Sequence, residues 1–279
     1  MSHFIALSIN NKQNVACALS TIGNIVFPPS KGGWGLGYYQ SGELLSTIEP
    51  CEEEVVDFNA SEILASIDAQ IVLLHARDAS VGEVRRENTH PFRFQHWTMA
   101  HNGTFVGFES YKGEILESMP PYIRRSIKGD TDSEHFFHLF LSFLYDDGKV
   151  NRADIGTESI RSALWQSVAM MDNFSNVAGH APSKLSVVIS DGYTIVAFAR
   201  GIPINYALIE GVRDCEICRS SRPPKTEGSG INHDELRAVI IRSCLSPIKN
   251  DVFQVLNDNT ILSVTSNLKL EFTSMGTQT

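Results

Sequence analysis

Long apolar runs are missing from these 279 residues: none reaches the 18 or so positions that a membrane-spanning helix needs. The first residues also lack the basic and apolar segments of a secretory leader, so a cytoplasmic protein without membrane contact is the expectation. Cysteine is scarce. Cys17, Cys51, Cys215, Cys218 and Cys244 are odd in number and scattered, which does not make a disulfide framework. Cys215-x-x-Cys218 is the one local pair, and a zinc site would want a second pair or two histidines at matching spacing. Only His233 lies nearby downstream, so no metal is expected and the thiols read as reduced. Positive charge is short as well. With 23 Lys and Arg against 32 Asp and Glu the net charge is −9, too few cations to displace counterions from phosphates, which argues against nucleic acid as a partner. No Gly/Ser/Pro-rich linker divides the chain. The most loop-like stretch, 220–230 (SSRPPKTEGSG), reads as a surface loop inside a single domain running from 1 to 279.

What the chain does have is strand. In LSVVISDGYTIVAFAR an Asp191-Gly192 pair separates two β-branched runs, the strongest hairpin signal present. GLGYYQSGELLSTI repeats the pattern with Ser41-Gly42, and TILSVTSNLKLEF does so with Ser266-Asn267, so antiparallel sheet is expected. Two segments carry a helical period instead. TDSEHFFHLFLSFLYDDG places Thr131 three residues before Glu134, a capping-box spacing, with Phe136, Leu139, Phe140, Phe143 and Leu144 on one face. TESIRSALWQSVAMMD repeats the period through Ile160, Leu164, Val168 and Met171. One apolar stripe per helix predicts helices laid on the faces of antiparallel sheets, an α+β arrangement.

Four polar clusters fall where strands end or a helix begins. In GGWGLGYY the glycine spacing is wrong for a dinucleotide turn and a strand follows, so the glycines read as room for a neighbouring chain. QIVLLHARDAS runs out into His75 and Arg77, and a guanidinium at a strand end either clamps a carboxylate ligand or pairs with a structural acid. WTMAHNGTF ends in Asn102-Gly103, which supplies an amide N–H and an approachable backbone N–H, the donors of an oxyanion hole, although Asn-Gly is more often a hairpin turn. GDTDSEHFF gathers Asp130, Asp132 and Glu134 at a helix N-terminus, where they cap the helix or meet an ammonium group. Glu134, His135 and His138 lack the H-E-x-x-H order, so zinc is not expected there.

In order, MSHFIAL, GGWGLGYY, HARDASVG, NTHPF, MAHNGTF and GDTDSEHFF resemble the class II glutamine amidotransferase domain, an N-terminal-nucleophile hydrolase. With LRAVIIRSCLSPI and VLNDNTILSV the resemblance extends to stand-alone members similar to γ-glutamyl hydrolases. It implies a four-layer αββα sandwich and a glutamine or γ-glutamyl substrate. It further implies no metal or organic cofactor, and a separate synthase or other partner protein wherever ammonia is handed on. Carried over by residue, Arg77 holds the substrate α-carboxylate with Ser80 nearby, Asp132 holds the α-ammonium, Asn102 and Gly103 form the oxyanion hole, and His90 lines or supports the pocket.

The nucleophile departs from the family. Cysteine is usual at the second position, with its own α-amine as base; here Ser2 stands there, and His3 replaces a commonly basic arginine. Three explanations stand side by side: a working serine nucleophile, a deliberate Cys-to-Ser block, or a homologue without turnover that binds a glutamyl ligand or regulates a partner.

Overall fold

A computed structural model describes residues 2–55, 58–79, 82–212, 215, 233–243 and 252–275. Ser80, Cys218, Cys244 and the 220–230 stretch lie outside the described residues. Two antiparallel sheets dominate. The first runs, in spatial order, β15 (Gln254–Val255), β13 (Ile204–Glu210), β14 (Arg237–Ser243), β1 (His3–Ile9), β8 (Ile71–Ala76), β4 (Trp34–Gln40) and β5 (Glu43–Glu49). The second runs β17 (Leu270–Ser274), β16 (Thr260–Val264), β12 (Ile195–Arg200), β11 (Leu185–Ser190), β10 (Trp97–Gly103) and β9 (Phe92–Phe94). Two short ribbons pair β2 (Val26–Phe27) with β7 (Phe58–Asn59) and β3 (Ser30–Lys31) with β6 (Glu54–Val55).

The alternation along β1 explains the layering. Phe4 and Ala6 join the core between the sheets, together with Leu73, Ala100, Val188, Ala197 and Val239. Ile5, Leu7 and Ile9 point the other way, into a core shared with α1 (Val15–Ser20) and α2 (Ala60–Ala65). On the far side Met99, Val187, Ile189 and Phe198 pack under α5 (Asp132–Asp146) and α6 (Thr157–Val177), flanked by α3 (Lys112–Ser118) and α4 (Pro121–Arg124). The result is the expected four-layer αββα sandwich. Because both faces of the central strands are covered, each reads as a continuous apolar run, and each buried Leu, Ile or Phe contributes about 1.5–3 kcal/mol.

All three hairpins form, by different chemistry. Gln40 pairs with Glu43 around Ser41 and Gly42, whose φ of 53° and 83° make the tight two-residue turn. The Asp191-Gly192 connection is longer, since Ser190 pairs with Ile195. There the buried Asp191 carboxylate accepts from the N–H groups of Tyr193 and Thr194, at 2.9 and 2.8 Å. Thr131 caps α5 as its spacing predicts, accepting from Glu134 N, but the Glu134 carboxylate turns to the N–H groups of Lys128 and Gly129. One expectation fails. α5 is not one-sided: every residue from Asp132 to Ser142 is buried, because α6, α3 and α4 close around the helix on the sides away from the sheet. Among the described residues no helix is long and apolar enough to cross a membrane.

Candidate active site

The antiparallel register of β1 against β8 sets His3 opposite Ala76, which brings Ser2 alongside Arg77 and Asp78. The half-buried Ser2 Oγ accepts a hydrogen bond from Asp78 N at 2.9 Å. Arg77 follows the last residue of β8 and is 4% exposed. Its guanidinium donates to the carbonyls of Gly82 and Glu83, and burial lowers its pKa while the nearby Asp130 opposes that shift. On the other side of Arg77 its N–H donates to Gly33 O at 2.8 Å, so the glycine-rich strand is the neighbour of this strand end. Gly35 makes room as its motif suggests: a Cβ there would lie 2.2 Å from His90 O. His3 stacks on Phe27.

Asn102 and Gly103 close β10 and do not form a hairpin turn. Gly103 has φ +140°, and a side chain there would meet Lys184 O at 2.5 Å. Asn102 is buried, and its Nδ2 crosses between the sheets to donate to Ser243 Oγ at 3.1 Å. Ser243 lies opposite Phe4 of β1, two residues from Ser2, and Ser186 Oγ supports it at 2.7 Å. The cross-sheet bond therefore carries the end of β10 to the same end of β1.

Asp132 opens α5, almost fully buried. Its Oδ2 accepts from Phe105 N and its Oδ1 from Ser133 N, both at 2.7 Å, so it ties the segment after Gly103 to the helix. Burial raises its pKa, against the pull of those N–H groups toward the ionised form. Ser133 Oγ donates to Asp132 Oδ1 and accepts from His101 Nδ1 at 2.8 Å, the assignment that uses every proton once. In turn His75 Nε2 donates to His101 O at 3.2 Å, extending the chain of contacts to β8.

Three imidazoles lie behind these groups: His75 faces the space between the sheets, with Leu73, whereas His101 shares the opposite face of β10 with Met99 and packs on Phe105 and Phe136 under α5. His90 packs on His75 and Phe92, with ring centroids 4.3 and 4.4 Å away. Burial pushes His75 and His101 down to about 3 and His90 well below its ordinary value, so all three are neutral at physiological pH. His135 and His138 are accounted for separately: each ring Nδ1 bonds the carbonyl one turn back, of Thr131 and Glu134.

The sequence model for class-II glutamine amidotransferases matches residues 1–211. The chain belongs to this family. Among curated proteins it is 27% identical over 178 residues to one named "Putative glutamine amidotransferase YafJ" from Escherichia coli, covering 61% of each chain. It is also 29% identical over 146 residues to an uncharacterised protein of Methanocaldococcus jannaschii, covering 51% of this chain and 38% of that one. The chain thus spans less than two thirds of the length of these curated relatives. A class-II glutamine aminotransferase domain protein from Silicibacter pomeroyi shares the fold, with a TM-score of 0.57 at 17% identity, covering 98% of this chain and 99% of that one. Glutamine phosphoribosylpyrophosphate amidotransferase from Bacillus subtilis does so with a TM-score of 0.57 at 11% identity, covering all of this chain and 50% of that one.

In this member of the family, register and hydrogen bonds set Ser2 beside Arg77 and carry Asn102 and Gly103 to the same strand end, while Asp132 at the start of α5 is tied to the segment that follows Gly103. His90 is 5% exposed and packed on His75 and Phe92. Sequence reasoning missed Ser133, Ser186 and Ser243, which hold the site but have no local signature. It also passed over His101, whose place beside Asn102 on an apolar strand was the available signal.

Proposed function

We propose that this class II glutamine amidotransferase hydrolyses the γ-amide of glutamine or a γ-glutamyl bond, in the manner of the stand-alone γ-glutamyl hydrolase-like group, with Ser2 as nucleophile. The observation that carries this reading is the register of β1 on β8, which sets the Ser2 hydroxyl beside Arg77, together with the Asn102–Ser243 bond that brings the oxyanion donors to the same strand end. Removal of Met1 frees the Ser2 α-amine, a base with an ordinary pKa near 8. Ser2 Oγ attacks the γ-carbonyl carbon as its proton passes to that amine. Asn102 Nδ2–H and Gly103 N–H meet the charge on the carbonyl oxygen. The ammonium then protonates the departing nitrogen, leaving a γ-glutamyl ester on Ser2. Water, deprotonated by the same amine, attacks the ester and returns Ser2 Oγ–H with free glutamate. Arg77 and Ser80 hold the α-carboxylate, Asp132 the α-ammonium, and His90 backs the pocket. Released ammonia goes to solvent or to a separate synthase.

A second reading, a glutamyl-binding or regulatory subunit without turnover, is favoured by the hydroxyl itself, which has almost no ionised fraction at neutral pH. Intact mass and glutamine hydrolysis separate the two. Met1 removal, with measurable hydrolysis that rises in Ser2→Cys, is expected. A Ser2→Cys protein inert toward glutamine and γ-glutamyl peptides would sink the hydrolase reading. Glutamate at millimolar concentration should raise the melting temperature of the wild type, and Arg77→Ala or Asp132→Asn should abolish that rise.

A further inference from the structure

Three soft donors meet far from Ser2. Cys17 of α1, Cys215 and His233 place their ligand atoms within 4.8 Å of one another, with both cysteines buried and the histidine half-buried. They arrive from three separate segments. Cys215 follows β13, and His233 opens the short turn that leads into β14. The two strands are knotted just there, by Gly211 N donating to Leu236 O at 2.8 Å and Val212 N to His233 O at 2.9 Å. The two cysteines belong to the core under α1, with Val212 and Leu236.

We propose that Cys17, Cys215 and His233 bind a Zn²⁺ that fastens the chain just after β13 and the turn just before β14 to α1. Two thiolates and an imidazole are a zinc donor set, with Zn–S about 2.3 Å and Zn–N about 2.0 Å. A tetrahedral ion at those lengths sets neighbouring donors about 3.5–3.8 Å apart, so side-chain adjustments of an ångström or less close the site. Cys17 supplies the ligand whose absence from the local sequence argued against metal there. Metal binding links a helix to two points of the chain 18 positions apart, Cys215 and His233, and so adds its binding free energy to folding. The adjoining turn is anchored by Asn10 Nδ2 donating to Glu235 O, beyond the end of β1 opposite Ser2, roughly 20 Å or more along the strand. Water completes the tetrahedron, and the ion lies away from Ser2, so its presence is independent of the hydrolase reading.

The test uses the untagged full chain, dialysed against Zn²⁺ and then against metal-free buffer, and analysed for elemental content. One zinc per chain is expected, with a melting temperature that falls on chelation and recovers when Zn²⁺ is returned. Cys17→Ser and His233→Gln should each lose zinc affinity by more than the roughly 10- to 100-fold typical of removing an outer-shell partner. Should these variants fail to fold, Co²⁺ titration of the wild type gives the same answer through a thiolate-to-metal charge-transfer band, with loss of Cys17 and Cys215 reactivity toward a thiol reagent. Zinc-free protein whose thiols react equally with and without Zn²⁺ overturns the proposal. So does a Cys17–Cys215 disulfide in the native protein, or full zinc retention in the Cys17→Ser/His233→Gln double variant.

Discussion

The two ends of β1 treat buried polar groups in opposite ways. At the Ser2 end several polar groups are tied to separate partners, Asn102 to Ser243, Asp132 to two backbone N–H groups and His75 to a carbonyl, while both ring nitrogens of His90 are buried without one. Three imidazoles there are buried in the neutral form. At the Ile9 end, two thiols and an imidazole converge on one point instead. The first arrangement holds donors rigid yet available for a substrate; the second gathers donors around a single centre. Substrate chemistry and metal binding ask for these two different dispositions.

Acid is expected to act most strongly, and through the first end. The folded state holds His75 and His101 down to about 3 against an ordinary 6.5, so the unfolded chain binds more protons below 6.5. Stability is therefore full above that pH and is lost as pH falls toward 3, by about 1.4 kcal/mol per pH unit for each imidazole. Two such groups rival the about 5–15 kcal/mol that holds a domain folded. Urea titrations across this range should show the slope, and His75→Gln, which keeps a donor for His101 O, should reduce it by one proton's worth. An unchanged slope would move the acid sensitivity elsewhere.

Asn102→Ala comes next. Loss of one oxyanion donor should lower kcat for glutamine about 100- to 1000-fold, or 2.7–4 kcal/mol, with little change in KM. Gly35→Ala should cost about 1–3 kcal/mol of stability in chemical denaturation, because its methyl meets His90 O and Ile48 Cδ1 at 2.2 and 2.5 Å. Cys17→Ser should have the smallest effect on turnover, leaving kcat/KM for glutamine unchanged in steady-state assays. A large loss there would erase the distinction between the two ends.

Much of this was legible in the chain because it is local. Ser41-Gly42 makes its turn from its own backbone preferences, and Thr131 caps α5 from three residues away. The α6 stripe of Ile160, Leu164, Val168 and Met171 is buried as its period predicts. Elsewhere local pattern was insufficient. α5 is buried all round because α3, α4 and α6, separate segments on either side of it in the chain, enclose it, which a single stripe cannot announce. Asp191-Gly192 carried the stronger hairpin signal but made the longer connection, since the Asp191 carboxylate reaches two further N–H groups. Ser243 could not be singled out, being an ordinary residue until β14 sets it across from Asn102.

By itself the sequence determined the sheet-rich α+β class, the turn positions and the family, because backbone preferences, apolar periods and motif order are written in short windows. Tertiary structure alone decided that the central strands bury both faces and that the imidazoles stay neutral. It also decided that Cys17 meets Cys215 and His233 across about two hundred residues of chain. Those outcomes depend on which distant surfaces exclude water together, and no window of the sequence contains both surfaces.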